Sequence, residues 1–163
     1  MAKKTGRPAG FYTIVAIAAA HNVGKFLCAD VYIENSASMC SWWRFVSRVS
    51  LAYFMLAGAA LRLNKKLLHG LLLPIVPPPL PAKACVYASG VFEAIFGVLL
   101  LIPRMENTAA WAIIALLFAV FPANIYHAVS ARAQQATGVG PPAVYFRIPI
   151  QAIFLNWAHW HTL

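Results

Sequence analysis

Acidic residues are almost missing from this sequence. Four Asp and Glu stand among 163 residues, and charged residues of both signs make up only 10% of the chain. A water-soluble domain carries about a quarter charged residues, because its surface has to meet water. At 61% hydrophobic residues this chain has too little polar material to cover a core, which excludes an ordinary soluble domain. So few acids also leave little for general acid–base catalysis. Paired carboxylates are lacking, as are a nucleophile with a base at usable spacing and a glycine-rich phosphate loop, so the chain reads as non-enzymatic on its own. Cysteine is scarce too. Cys28, Cys40 and Cys85 are odd in number, widely spaced, and form neither a CxxC nor a zinc-like pattern with His. They read as small apolar residues rather than as a disulfide or a metal site.

The charge that is present is basic, 13 Lys and Arg against the 4 acids, for a net +9. Nucleic-acid binders gather such residues along one face with aromatics between them. Here they punctuate apolar runs instead, as at Lys3, Lys4 and Arg7, at Arg44 and Arg48, and at Lys65 and Lys66. Anionic headgroups attract positive charge in that placement, so phospholipids are expected partners and nucleic acid is not.

A membrane span needs ~20 mostly apolar residues. Four runs qualify: 45–63, 84–102, 109–129 and 144–161. The turn at 103–108 is short and makes the second and third runs antiparallel neighbours. Pro122 and Pro149 fall inside the third and fourth runs, where a membrane helix tolerates them and a soluble one does not. The stretch 64–83 is apolar but interrupted by five prolines; it belongs at the interface, with one short helical piece. Four spans put Trp42, Trp43, Trp111, Trp157 and Trp160 at one membrane interface, as an aromatic belt requires. The basic residues divide nearly evenly between the two sides and do not orient the chain.

The first 43 residues are of a different kind. A basic, acid-free start resembles an organelle-targeting sequence. It leads into the apolar stretch 11–33, which carries His21, Asn22, Lys25 and Asp30. His21, Asn22 and Lys25 share one helical face, which suits a helix lying in the interface; a fifth span is the alternative. The expected fold is therefore all-α. Residues 44–163 form an integral membrane four-helix bundle, and residues 1–43 an extension with an interfacial or fifth transmembrane helix.

From about Arg44 onward the chain resembles the DoxX-like family of small four-helix membrane proteins. The resemblance rests on LAYFMLAGAALRL in the first span, SGVFEAIFGVLLLIPR in the second, FAVFPANIYHAV in the third and FRIPIQAIFLNW in the fourth. It covers roughly three quarters of the chain and implies a four-helix bundle. The family is associated with quinol-oxidase and thiosulfate-to-quinone oxidoreductase assemblies, and fold transfers across it better than function does.

Polar residues inside the bilayer are the candidate site. Glu93 falls near mid-span, the most expensive place for a carboxylate. Counting ~1.5 Å per residue from the shared side, Glu93 lies ~13 Å deep, Gln151 ~10 Å and Arg147 ~5 Å. Glu93, Asn124, Arg147 and Gln151 are expected to form one cluster, with Glu93 protonated or paired to Arg147. The cluster either locks the bundle through interhelical hydrogen bonds or opens to a lipid headgroup, a quinone or a proton. His127 and the pair His159 and His161 lie on opposite sides, which argues against haem; no cofactor or metal is expected beyond a bound lipid or quinone. The resulting expectation is an accessory subunit, with other membrane subunits as partners, of a respiratory complex in the mitochondrial inner membrane. A quinone-linked redox partner and a small-solute transporter are the alternatives.

Overall fold

The computed structural model describes residues 9–30 and 37–163. The basic start with Lys3, Lys4 and Arg7, and the stretch 31–36, lie outside the described residues. Within them the chain is helical, with no strand. The long helices are α1 (Ala9–Asp30), α2 (Ala37–Leu61), α4 (Ala82–Leu101), α5 (Glu106–Val129) and α7 (Arg147–Trp160). They close into a ring: α2 packs on α4, α4 on α5, α5 on α7, α7 on α1, and α1 returns to α2.

Three helices are long and apolar enough to cross a membrane: Cys40–Leu61 within α2, Ala82–Leu101 and Glu106–Val129. The expected fourth run, 144–161, is different. Residues 141–146 form turns, and α7 has 14 residues, a length of ~21 Å at ~1.5 Å per residue, short of a ~30 Å hydrocarbon core. Pro149 accordingly stands in the first turn of α7, where its missing N–H costs nothing. Of the two, Pro122 alone stands in a helix interior. A short helix not foreseen from the sequence, α6 (Ala131–Thr137), follows α5. Ser130 caps it by accepting from the Ala133 N–H, and Gly138 closes it at φ 67°, in the left-handed region that glycine enters freely.

The proline-rich connection carries one short helical piece. The Asn64 side chain caps α3 (Lys65–Leu67), which widens through the π-type turn Leu68–Leu72 and tightens into the 3-10 turn Leu73–Ile75. Ile75 and Leu68 are buried, so this segment packs under α4, α5 and α6 rather than lying free.

One expectation for the N-terminal part is corrected. Cys28 and Cys40 form a disulfide with their Cα atoms 5.7 Å apart. The α1–α2 hairpin brings two helix ends together, and an odd cysteine count does not prevent two of the three from meeting; Cys85 stays free. The polar face of α1 packs against α7. His21 is buried and stacks on Trp157 at 4.7 Å. Lys25 Nζ donates to Asn156 Oδ1 at 3.1 Å, and Asn156 Nδ2 donates to Asn22 Oδ1. These residues bind α7, and Trp43 lies directly over Gly24, where a Cβ has no room.

The apolar core sits at the tryptophan end. Leu51, Ala52, Met55, Leu100, Ala109, Ile113, Trp157 and Ala158 are buried there with Ala18. Trp157 and Trp160 belong to this packed end, whereas Trp42 and Trp111 face outward. The five tryptophans thus share one end, but only part of the set is free to act as a belt. The core is tied by polar bonds. Trp157 Nε1–H donates to Ser47 Oγ at 2.7 Å, and Ser47 meets His161 Nε2 at 3.1 Å. Arg48 pairs with Glu106 at 2.5 Å, and Asn107 Nδ2 donates to the Thr162 carbonyl.

Candidate functional site

At the opposite end the elements diverge and charged side chains enter the interior. α2 and α4 run antiparallel, with Ala52 level with Gly97 and Gly58 level with Glu93. That register carries Arg62 across Gly90 to Glu93. Arg62 Nη2 donates to Glu93 Oε1 at 2.8 Å, Nη1 donates to Oε2, and Nη1 also donates to the Gly58 carbonyl at 2.7 Å. A Cβ at Gly58 would lie 2.8 Å from the Glu93 carboxylate, and one at Gly90 would lie 2.5 Å from Arg62 Cδ. The two glycines therefore make the space in which the ion pair is held. Both partners are mostly buried, and a two-pronged pair of this kind is the geometry that offsets charge desolvation best.

The partner expected for Glu93 was Arg147, and the structure corrects this. Arg147 begins α7 beside the last turn of α5, and its Nη1 donates to His127 Nδ1 at 3.2 Å. Arg62 reaches Glu93 instead because α2, not α7, packs directly against α4. His127 Nε2 lies 2.9 Å from Thr137 Oγ1, whose own proton goes to the Ala133 carbonyl. Thr137 thus accepts, which makes His127 the neutral Nε2–H tautomer, donating to Thr137 and accepting from Arg147. This buried relay fixes α6 against α5 and α7.

Asn124 and Gln151 form a third group. Asn124 Nδ2 donates to Gln151 Oε1 at 2.5 Å, and Gln151 Nε2 donates to the Leu117 carbonyl at 2.5 Å. The four residues expected in one cluster are hence divided among three: Glu93 with Arg62, Asn124 with Gln151, and Arg147 with His127. Arg62 was missed because a basic residue at a span end reads as an interfacial charge. The usable signal was its spacing of four from Gly58 together with Gly90 opposite.

The groups face one cavity of about 490 Å³. Arg62, Ser89, Asn124 and Arg147 supply its polar lining. Leu72, Ile75, Val76, Pro77 and Leu80 of the connection close one side, and Phe92, Leu116, Val120 and Pro122 supply apolar walls from α4 and α5. Among the described residues no group of three or more His, Cys, Asp or Glu side chains is placed to hold a metal ion.

Residues 51–162 match the family described as Domain of unknown function (DUF8561). The chain belongs to this family. The DUF8561 match begins within α2 and runs through α7, so it takes in the Arg62–Glu93 pair, the cavity and the Arg147 relay, and leaves α1 outside. No curated protein and no solved structure matches the chain.

Proposed function

We propose that this protein is a non-catalytic accessory subunit of a multi-subunit membrane complex, of the energy-transducing respiratory class and resident in the mitochondrial inner membrane. In this reading α2, α4, α5 and α7 are a DoxX-like four-helix bundle that serves as scaffold and packing element. The observation that carries it is how the side chains are spent. Buried ionisable and amide groups bind neighbouring helices, while Tyr53, Val91, Val98, Trp111, Phe118 and Val129 face outward on the apolar helices. Such a surface is suited to lipid and to other membrane subunits. The short α7 supports the same reading, since Arg147, Gln151 and Asn156 on it need protein rather than lipid around them.

Extraction in a mild detergent, native-gel separation and mass spectrometry of the band test the proposal. A large assembly with stoichiometric respiratory subunits is the expected result; migration alone or as a small oligomer overturns it. The cavity supports a second reading, a quinone-linked redox partner or a small-solute transporter. Loss of quinone-linked electron transfer in Arg147→Gln, or uptake by the protein alone in liposomes, would favour it.

A further inference from the structure

We propose that the cavity between the proline-rich connection, α4, α5 and α7 is a site for one anionic phospholipid, its phosphate held by Arg147 and an acyl chain lying against Phe92 and Val120. The proposal rests on the membrane reading but not on membership in an assembly.

Charge carries it. The cavity has two arginines on its wall. Arg62 is neutralised by Glu93. Arg147 shares one hydrogen bond with a neutral imidazole, so its positive charge has no counter-charge among the described residues. Exposed cations surround this end. Lys65 and Lys66 follow α2, Lys83 begins α4 and Arg132 follows α5, whereas Glu93 is the one described acid here and is already taken. A guanidinium at the edge of a hydrocarbon layer is costly without an anion, and several cations on one membrane face draw anionic headgroups to it. A neutral quinone would accept a hydrogen bond and leave the charge standing. A phosphate diester neutralises it and suits the two-pronged geometry of arginine.

Size and place agree with this ligand. The volume of about 490 Å³ falls in the ~300–1,000 Å³ range of small-ligand sites. It is suited to a headgroup and the upper part of one chain, with the remainder along the lipid-facing helices. Arg147 is the first residue of α7 and stands level with the last turn of α5, which is headgroup depth rather than mid-bilayer.

The intact chain, purified and delipidated in neutral detergent, is titrated with phosphatidylglycerol, phosphatidylcholine or inorganic phosphate and followed by native mass spectrometry and thermal unfolding. One phosphatidylglycerol retained per chain with a raised Tm is expected, with phosphatidylcholine and phosphate giving neither. Arg147→Gln should weaken retention about tenfold or more, the loss of one charge-assisted contact. Should Arg147→Gln not fold, Ala119→Trp decides. Ala119 lines the cavity and is exposed, so the bulky ring should fill the space, keep the fold and abolish retention. Equal retention of phosphatidylcholine, an equal effect of phosphate alone, or unchanged binding in Ala119→Trp overturns the proposal. So does a short-chain quinone that displaces the lipid and binds Arg147→Gln as well as the native chain.

Discussion

The two ends of this helical ring solve opposite problems. At the tryptophan end, large side chains meet across a closed interior, and Trp157 Nε1, Ser47 Oγ and His161 Nε2 bond to one another within it. At the other end the proline-rich connection holds the helices apart, and the interior admits an ion pair, an amide pair and an uncompensated arginine around a cavity. The first end is built for cohesion. The second keeps polarity and volume that cohesion does not need, and for that reason it is where a ligand is sought.

The ends also differ in which side of a membrane they suit, and this gives the largest expected effect, an all-or-none one. The disulfide lies at the tryptophan end, where an oxidising compartment keeps it formed. The opposite end carries Arg62, Lys65, Lys66, Lys83, Arg132 and Arg147, against Lys25, Arg44, Arg48 and Arg104 at the first, too even a division to orient the chain, so the expected orientation follows the disulfide alone and puts the opposite end on the inner, reducing side. In sealed vesicles, and with Cys85 replaced by Ala, Lys66→Cys should react with an impermeant maleimide only from that inner side, and Arg44→Cys only from the other. The reverse pattern breaks the comparison.

The next effect concerns the ion pair. Arg62→Leu leaves the Glu93 carboxylate buried without a partner and should cost about 3–5 kcal/mol, read as a lowered Tm in detergent. The double variant Arg62→Met with Glu93→Leu should stay near the native stability. Equal losses in both would mean that the pair contributes net stability rather than merely avoiding a bare charge.

At the closed end the sharper test is pH. Burial above all, with Arg44 and Arg48 adding to it against Glu106, pushes the His161 imidazole down to about 4. Unfolded, it takes its proton near 6.5, so between those values the unfolded state binds more protons. Stability is therefore complete above about pH 6.5 and falls by about 3 kcal/mol as pH drops to about 4. His161→Gln should flatten that slope. The smallest effect is local: Arg104 adopts φ 69° in the turn between α4 and α5. Arg104→Gly should raise stability by about 1 kcal/mol in the same assay, while Gly138→Ala, at φ 67°, should lower it by a similar amount.

Much of the helical organisation was legible in the chain. Runs such as ACVYASGVFEAIFGVLLLI announce helices because a long apolar stretch in lipid has to satisfy its own backbone. Helix α7 was overestimated because hydropathy does not register that 141–146 turns before the helix begins. The site was legible as a set of costly residues but not as a set of pairs. Glu93, Asn124, Arg147 and Gln151 stood out by their expense in a membrane, yet which guanidinium meets Glu93 depends on which helix lies beside α4. The polar face of α1 was read only as suited to an interface, because a sequence does not say that Asn156 and Trp157 lie opposite it.

What the amino-acid order determined alone is the solvent and the elements: scarce charge and long apolar runs call for helices in a membrane, whatever those helices touch. What only the tertiary structure decided are the partners. Arg62 with Glu93, Arg147 with His127, Cys28 with Cys40 and His21 with Trp157 each join two different helices or their ends. Their meeting is set by helix adjacency and register, and those follow from how the whole ring packs rather than from any segment within it.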